Sequence, residues 1–224
     1  MINWLILNAV ILIIAYLLGA TPSGYWLSSW FYGIDIREQG SGSTGATNVL
    51  RTLGKLPALV VLVIDILKGA LAIVLVRYIY SLIFVQNLTI DAGIPDSYLA
   101  KEWMVILAGL IAIVGHTKSI WIGFKGGKSV ASSLGILLAM SWMVGLGTLG
   151  VFVIVISISR IVSLSSIIAA VAVSGLMFVT GQPLPYIIFA IVSGIYVIWR
   201  HSSNIERLLA GKEPRVGQKL STES

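Results

Sequence analysis

No cysteine occurs among the 224 residues, and only 11% are charged. The first absence excludes disulfides, thiolate metal sites and a thiol nucleophile, though it says nothing about compartment. The second excludes a soluble fold. With 57% hydrophobic residues and a mean hydropathy of +0.97, too little polar surface is left to cover a water-facing globule. Also missing is the apolar–polar alternation of barrel strands. Long apolar stretches interrupted by Gly, Ser and Thr predict an all-α polytopic membrane protein, one domain over residues 1–224 with no separate soluble part.

The net charge of +6 informs through its placement. Arg37, Arg51 and Lys55 follow the first apolar segment, Lys118, Lys125 and Lys128 cluster centrally, and Arg160 stands alone. Arg200, Arg207, Lys212, Arg215 and Lys219 end the chain. The connection around residues 86–102 is acidic instead, with Asp91, Asp96 and Glu102 against Lys101. Basic loops between spans read as cytoplasmic, and cations so scattered do not make a nucleic-acid surface. Met1-Ile2-Asn3 lacks the basic start of a secretory signal, which predicts a retained first helix with its N-terminus outside.

Span count turns on residues 130–158. As one helix they would run about 43 Å, too long for a hydrocarbon core of about 30 Å. A break between Ser141 and Gly147 returns the basic C-terminal tail to the side of the other basic loops. The expectation is therefore seven transmembrane helices, N-terminus out and C-terminus in, with spans near 4–18, 56–76 and 103–114 preceding the broken stretch.

Gly123-Phe124-Lys125-Gly126-Gly127-Lys128-Ser129 is a cationic, glycine-rich elbow between apolar segments. Its glycines can turn backbone N–H groups outward, and a helix opening at Ser129 would add its positive dipole end, together a phosphate cradle. The alternative is an interfacial loop whose lysines obey the positive-inside rule. A P-loop is excluded, because Ile122 occupies the position that pattern reserves for glycine and no strand precedes it.

Upstream, residues 40–51 collect hydroxyls, an amide and a guanidinium, from Ser41, Ser43, Thr44, Thr47, Asn48 and Arg51, among small residues such as Gly42. Gly40, Gly42 and Gly45 formally match a dinucleotide fingerprint, which fails for want of any strand–helix–strand context. Such a loop can hydrogen-bond an anion or polyol, with Arg51 pointing back from the next helix start. Asp65 and Lys68, three apart in an apolar segment, should pair on one helix face, shaping the site or only joining helices. His116 opens the elbow as a packing or substrate-binding residue. On a helix leaving the membrane, His201, Asn204 and Leu208 share a face, either over a ligand or in a basic tail on lipid headgroups.

Taken together, Gly40-Ser41-Gly42 to Arg51, Gly115-His116 through Lys128, and His201-x-x-Asn204-Ile205-x-Arg207-Leu208 with Gly211-x-Glu213 resemble the three signature motifs of the bacterial acyl-phosphate:glycerol 3-phosphate acyltransferases. The resemblance covers nearly the whole chain. Ser43-Thr44 stands for the usual Asn-Pro, Ser119 for a common Pro and Ser202 for a usual Arg. It implies a seven-helix enzyme of the bacterial inner membrane, with its site on the cytoplasmic face. That enzyme would make lysophosphatidic acid from glycerol 3-phosphate and acyl phosphate, with membrane lipid around it and functional coupling to the enzyme that makes acyl phosphate.

By this resemblance Ser41, Arg51, Lys128 and Asn204 form the catalytic core, joined by His201. Gly42, Thr47, Asn48, His116, Lys125, Gly126, Gly127 and Ser129 would bind substrate, and Asp65, Lys68 and Glu213 would support. Neither metal nor cofactor is implied, and an already activated acyl phosphate needs no covalent acyl-enzyme. Two other functions compete. An acyl-CoA-dependent acyltransferase would show His-x-x-x-x-Asp, but Glu206 follows His201 at that spacing and Trp121 follows His116. An organic-phosphate transporter would gather its polar groups at the midplane instead of one face.

Overall fold

Within a bilayer every backbone polar group must be satisfied inside its own segment, so this composition folds as helices broken only where local chemistry forces a stop. The computed structural model describes residues 1–218; Lys219, counted above in the basic tail, lies outside them. Eleven α-helices are found among the described residues. They are α1 (Ile2–Ala20), α2 (Ser23–Tyr32), α3 (Ala46–Leu53), α4 (Lys55–Ser81), α5 (Ile83–Asp91), α6 (Ser97–Thr117), α7 (Val130–Met140), α8 (Trp142–Ser159), α9 (Val162–Val179), α10 (Leu184–Arg200) and α11 (Ser202–Leu209).

The breaks have local causes. Pro22 disfavours helical backbone at Thr21 and separates α1 from α2. Ser141 is extended between α7 and α8, and Arg160, left-handed at φ 59°, separates α8 from α9. At His201 the chain bends by 61° from α10 into α11.

Five helices, α1, α4, α6, α8 and α9, are long and apolar enough to cross a membrane, or six if α10 and α11 form one bent span. The expected break does fall at Ser141, but it leaves α7 with eleven residues, about 16 Å and well short of a bilayer core. Gly69, fourteen residues and so roughly 21 Å into α4, packs on Ser132, and a Cβ there would lie 2.2 Å from the Ser132 carbonyl oxygen. Gly135 meets Ile66 equally closely, so α4 and α7 touch backbone to backbone. Hence α7 starts beside the middle of α4. Its far end is closed by Arg77, whose guanidinium donates to the carbonyls of Ala139 at 2.5 Å and Met140 at 2.8 Å and to the Tyr186 hydroxyl at 2.8 Å. A cation there satisfies carbonyls left open by the helix end and opposes its negative dipole pole.

The acidic connection expected around residues 86–102 is largely helical, holding most of α5 and the start of α6. The main core joins Ile73, Val105, Ile136, Met177 and Phe189, all fully or nearly fully buried. A smaller cluster of Ile36, Val49, Ala58 and Val61 lies under the first polar loop and carries α3. Exposed Leu59, Val63, Leu67, Leu71 and Val74 give α4 the outward apolar surface that a bilayer would cover.

Candidate active site

The first polar loop is folded by one amide. Asn48 Nδ2 donates to the carbonyls of Ile36, Gln39 and Ser43 at 2.9–3.0 Å, while its Oδ1 accepts from the Ser41 backbone N–H at 2.9 Å. With both its nitrogen and its oxygen bonded to backbone, Asn48 shapes the loop, and among the described residues the Ser41 hydroxyl has no hydrogen-bond partner. Residues 46–53 form α3, not the loop expected, so Thr47 and Arg51 project from successive turns of a helix. Arg37 ties this unit to the elbow, pairing with Asp35 at 2.6 Å and donating to the Ile122 carbonyl at 3.3 Å.

The elbow is built differently from a free phosphate cradle. The Phe124 N–H donates to Ser119 and the Gly127 N–H to His116, so neither faces outward. A Cβ on Gly126 would lie 2.1 Å from the His116 carbonyl oxygen, and one on Gly127 2.2 Å from its Nε2. These glycines let the elbow pack directly on His116, Gly126 against its backbone and Gly127 against its imidazole. Lys125 is exposed, and Lys125, Gly126, Gly127 and Gly42 do not line the cavity described below. Ser129, left-handed at φ 63°, precedes α7 and donates to the Ile113 carbonyl. Ser119, where a proline was common by resemblance, donates to Ala20 across to α1.

Lys128 turns inward and donates to Asn204 Oδ1. Burial, together with the positive Arg207 nearby, lowers its ammonium to about 8. Asn204 Nδ2 donates in turn to Glu213 Oε1 at 2.6 Å, which also accepts from Ser163 at 2.7 Å, while Arg207 donates to Oε2 at 2.7 Å. Burial alone would raise the Glu213 carboxyl, but those three donors outweigh it and hold it below the ordinary range. Ser163 was not foreseen, since nothing local distinguishes it from other serines in apolar helices. His201, at the bend and not within a straight helix, donates through Nδ1 to the Val197 carbonyl at 2.7 Å. A carbonyl can only accept, so Nε2 remains the ring's free acceptor.

Asp65 and Lys68 pair at 2.8 Å, as their spacing predicted. Ser23 donates to the same carboxylate, and Lys68 donates to the Thr21 carbonyl. His116 presents one nitrogen, Nδ1, to both Ser132 at 3.2 Å and Asp65 at 3.8 Å. A serine–histidine–acid relay needs the two ring nitrogens on opposite partners, so this trio packs α4, α6 and α7 and is not a nucleophilic triad.

A cavity of about 430 Å³ joins these parts. Ser41, Thr47, Arg51, Lys128, His201 and Asn204 surround one end; Ile66, Leu134, Leu137, Phe152 and Val173 line the rest. Asn48, Asp65, His116, Ser129 and Glu213 also reach its wall. Thr148 Oγ1 and Ser133 Oγ are buried on it with no hydrogen-bond partner among the described residues. Among the described residues, no three His, Cys, Asp or Glu side chains gather as a metal site.

A helical membrane protein whose cavity is cationic and hydroxyl-rich at one end and apolar along its length is built to handle an amphiphile with an anionic head. The chain belongs to the glycerol-3-phosphate acyltransferase family, whose sequence profile matches residues 9–211. It is 85% identical to the glycerol-3-phosphate acyltransferase of Trichodesmium erythraeum over 100% of this chain and 98% of that one. To the protein of that name from Trichormus variabilis it is 61% identical, over 99% and 97%. It is also similar to the crystal structure of PlsY (YgiH), an integral membrane glycerol 3-phosphate acyltransferase, in its glycerol 3-phosphate form. There the TM-score is 0.79 at 36% identity, over 94% of this chain and 96% of that one. The lysophosphatidic acid form gives 0.77.

Proposed function

We propose that this chain transfers a fatty acyl group from acyl phosphate to the 1-hydroxyl of glycerol 3-phosphate, forming lysophosphatidic acid and inorganic phosphate. The observation that carries the reading is one cavity with two chemistries, a cationic end for phosphate and an apolar arm for an acyl chain. Arg51 and Lys128 offset the repulsion of two phosphate groups brought close together. Ser41 and Thr47 orient phosphate or hydroxyl oxygens, and His201 Nε2 accepts a hydrogen bond from the attacking hydroxyl and so orients it, without keeping its proton. The hydroxyl oxygen attacks the acyl carbonyl carbon, the bond from that carbon to the phosphate oxygen breaks, and the departing phosphate carries away the hydroxyl proton. No acyl-enzyme forms.

The bilayer arrangement we propose has seven crossings, with half-length α7 counted and its elbow sunk to meet it. The N-terminus is outside and the C-terminus inside, with the site at the cytoplasmic face of a bacterial inner membrane. Its support is the basic character of the segments at the cavity's polar end and the acidic loop before α6. Functional coupling to the enzyme that makes acyl phosphate belongs to the same reading.

The test is turnover by the purified protein in detergent, with acyl phosphate and acyl-CoA offered separately and together. Lysophosphatidic acid with equimolar phosphate from acyl phosphate alone is expected. Acylation only from the thioester would refute the donor. Glycerol 3-phosphate uptake into vesicles with no acyl product would refute the enzyme.

A further inference from the structure

The apolar arm has an identifiable end. Along α9 the cavity wall runs from Val162 to Val173, eleven residues or roughly 16 Å of helix. Beyond Val173 the same helix turns Met177 into the packed core, where it is fully buried. Leu137 marks the matching level on α7, with Met140 beyond it in the same core. Leu137 and Val173, 5% and 4% exposed, are at once cavity wall and members of the main core cluster. They stand where open space gives way to close-packed side chains. Between them and the polar end the α9 wall is lined by small side chains, Ala169 and Ala170.

We infer that Leu137 and Val173 form the end wall of the acyl arm and set the length of chain the enzyme accepts. This rests on the acyltransferase reading above and adds specificity to it. The physical reason is that protein interiors do not yield cheaply. A chain too short leaves the arm partly empty; a chain too long must displace the Met177 and Phe189 core or stay partly outside. Each methylene gained or lost from burial changes relative preference about fourfold, equivalent to roughly 0.8 kcal/mol. Filling the end of the arm therefore moves the optimum toward shorter donors, and emptying it moves the optimum toward longer ones, without touching the groups that hold glycerol 3-phosphate.

The experiment compares kcat/KM for dodecanoyl, tetradecanoyl, hexadecanoyl and octadecanoyl phosphate in wild type, Val173→Phe, Val173→Ala and Leu137→Ala. With Val173→Phe displacing two methylenes, the short-to-long ratio should rise by about sixteenfold. Val173→Ala and Leu137→Ala should shift it the other way by about fourfold or more. KM for glycerol 3-phosphate should stay near wild type in all of them. Val173→Leu replaces Val173→Phe if the larger side chain prevents accumulation of folded protein. Variants that lose rate equally with every donor, leaving the ratio unchanged, overturn the inference while the acyltransferase reading stands. A wild type that acylates glycerol 3-phosphate from no donor overturns both.

Discussion

Lys128 is the group whose titration should be visible in turnover. Burial among α7, α11 and the C-terminal segment, with Arg207 adding repulsion, lowers its ammonium from 10.5 to about 8. A cation that must be charged to hold phosphate is then about 90% competent at pH 7 and about 10% at pH 9. Consequently kcat/KM for glycerol 3-phosphate should fall roughly tenfold between these values, the slope steepening toward about one decade per pH unit only above pH 9. The substrate phosphate does not mask this limb, because second ionisations near 6 are essentially complete by pH 7. The decisive perturbation is Lys128→Arg. A guanidinium does not titrate here, so the alkaline limb should vanish even though its planar fork fits the Asn204 seat less well and lowers the absolute rate. Lys128→Ala should lose about 10²–10³ in turnover. The assay is initial-rate release of phosphate across pH 6.5–9.5, corrected for spontaneous donor hydrolysis. Stability should run the opposite way: between the folded value of about 8 and the unfolded 10.5 the folded state binds fewer protons, so this lysine's contribution rises with pH. An alkaline limb persisting unchanged in Lys128→Arg would refute the argument.

Glu213→Ala removes the acceptor of Asn204, Ser163 and Arg207 together. Its cost should be about 2–4 kcal/mol, mainly from the Asn204 amide and Ser163 hydroxyl left buried without an acceptor and little from the part-exposed Arg207, read as a lower melting temperature in detergent along with lost activity. Gly127→Ala drives a methyl into His116 Nε2. It should displace the elbow and cut turnover by more than tenfold, against a thermal stability loss of about 1–3 kcal/mol; near-normal kinetics would show that the elbow tolerates movement. For orientation, Ser203→Cys in intact cells should resist an impermeant thiol reagent until the inner membrane is opened. Labelling from outside would place the site on the wrong face.

What was legible in the sequence was whatever depends on near neighbours. Asp65 and Lys68 share a helical face by spacing, and the pair forms. The break expected between Ser141 and Gly147, which falls at Ser141, followed from length and from the side on which the basic tail must lie, since no single straight helix of that extent fits a bilayer. What was not legible depends on partners far along the chain. Lys125 and Lys128 look equivalent in a glycine-rich elbow, yet the turn made by Gly126 and Gly127 over His116 sends only the second inward. The same glycines read as an anion cradle until their N–H bonds and neighbours are known. Arg77 passes for one basic residue at a span end, and only the carbonyls of Ala139 and Met140 show that it closes α7.

One buried lysine and one half-buried one show how the fold separates scaffold from site. Lys68 is paired directly with a carboxylate, and the Thr21 carbonyl takes another of its protons. Its charge is cancelled where it arises, leaving little to attract a further anion. Lys128 meets a neutral amide instead, with the Glu213 carboxylate one residue removed behind Asn204 and shared with Arg207 and Ser163. An amide fixes the direction of the ammonium without neutralising it. With Arg51 on the same wall, the cavity end keeps uncompensated positive charge in a partly desolvated place, where charge acts over distance more strongly than in water. Replacing Asn204 with Asp together with Glu213→Gln, whose amide can donate back across the contact that Asn204 now makes, should therefore weaken glycerol 3-phosphate binding, because it would give Lys128 the kind of partner that Lys68 already has.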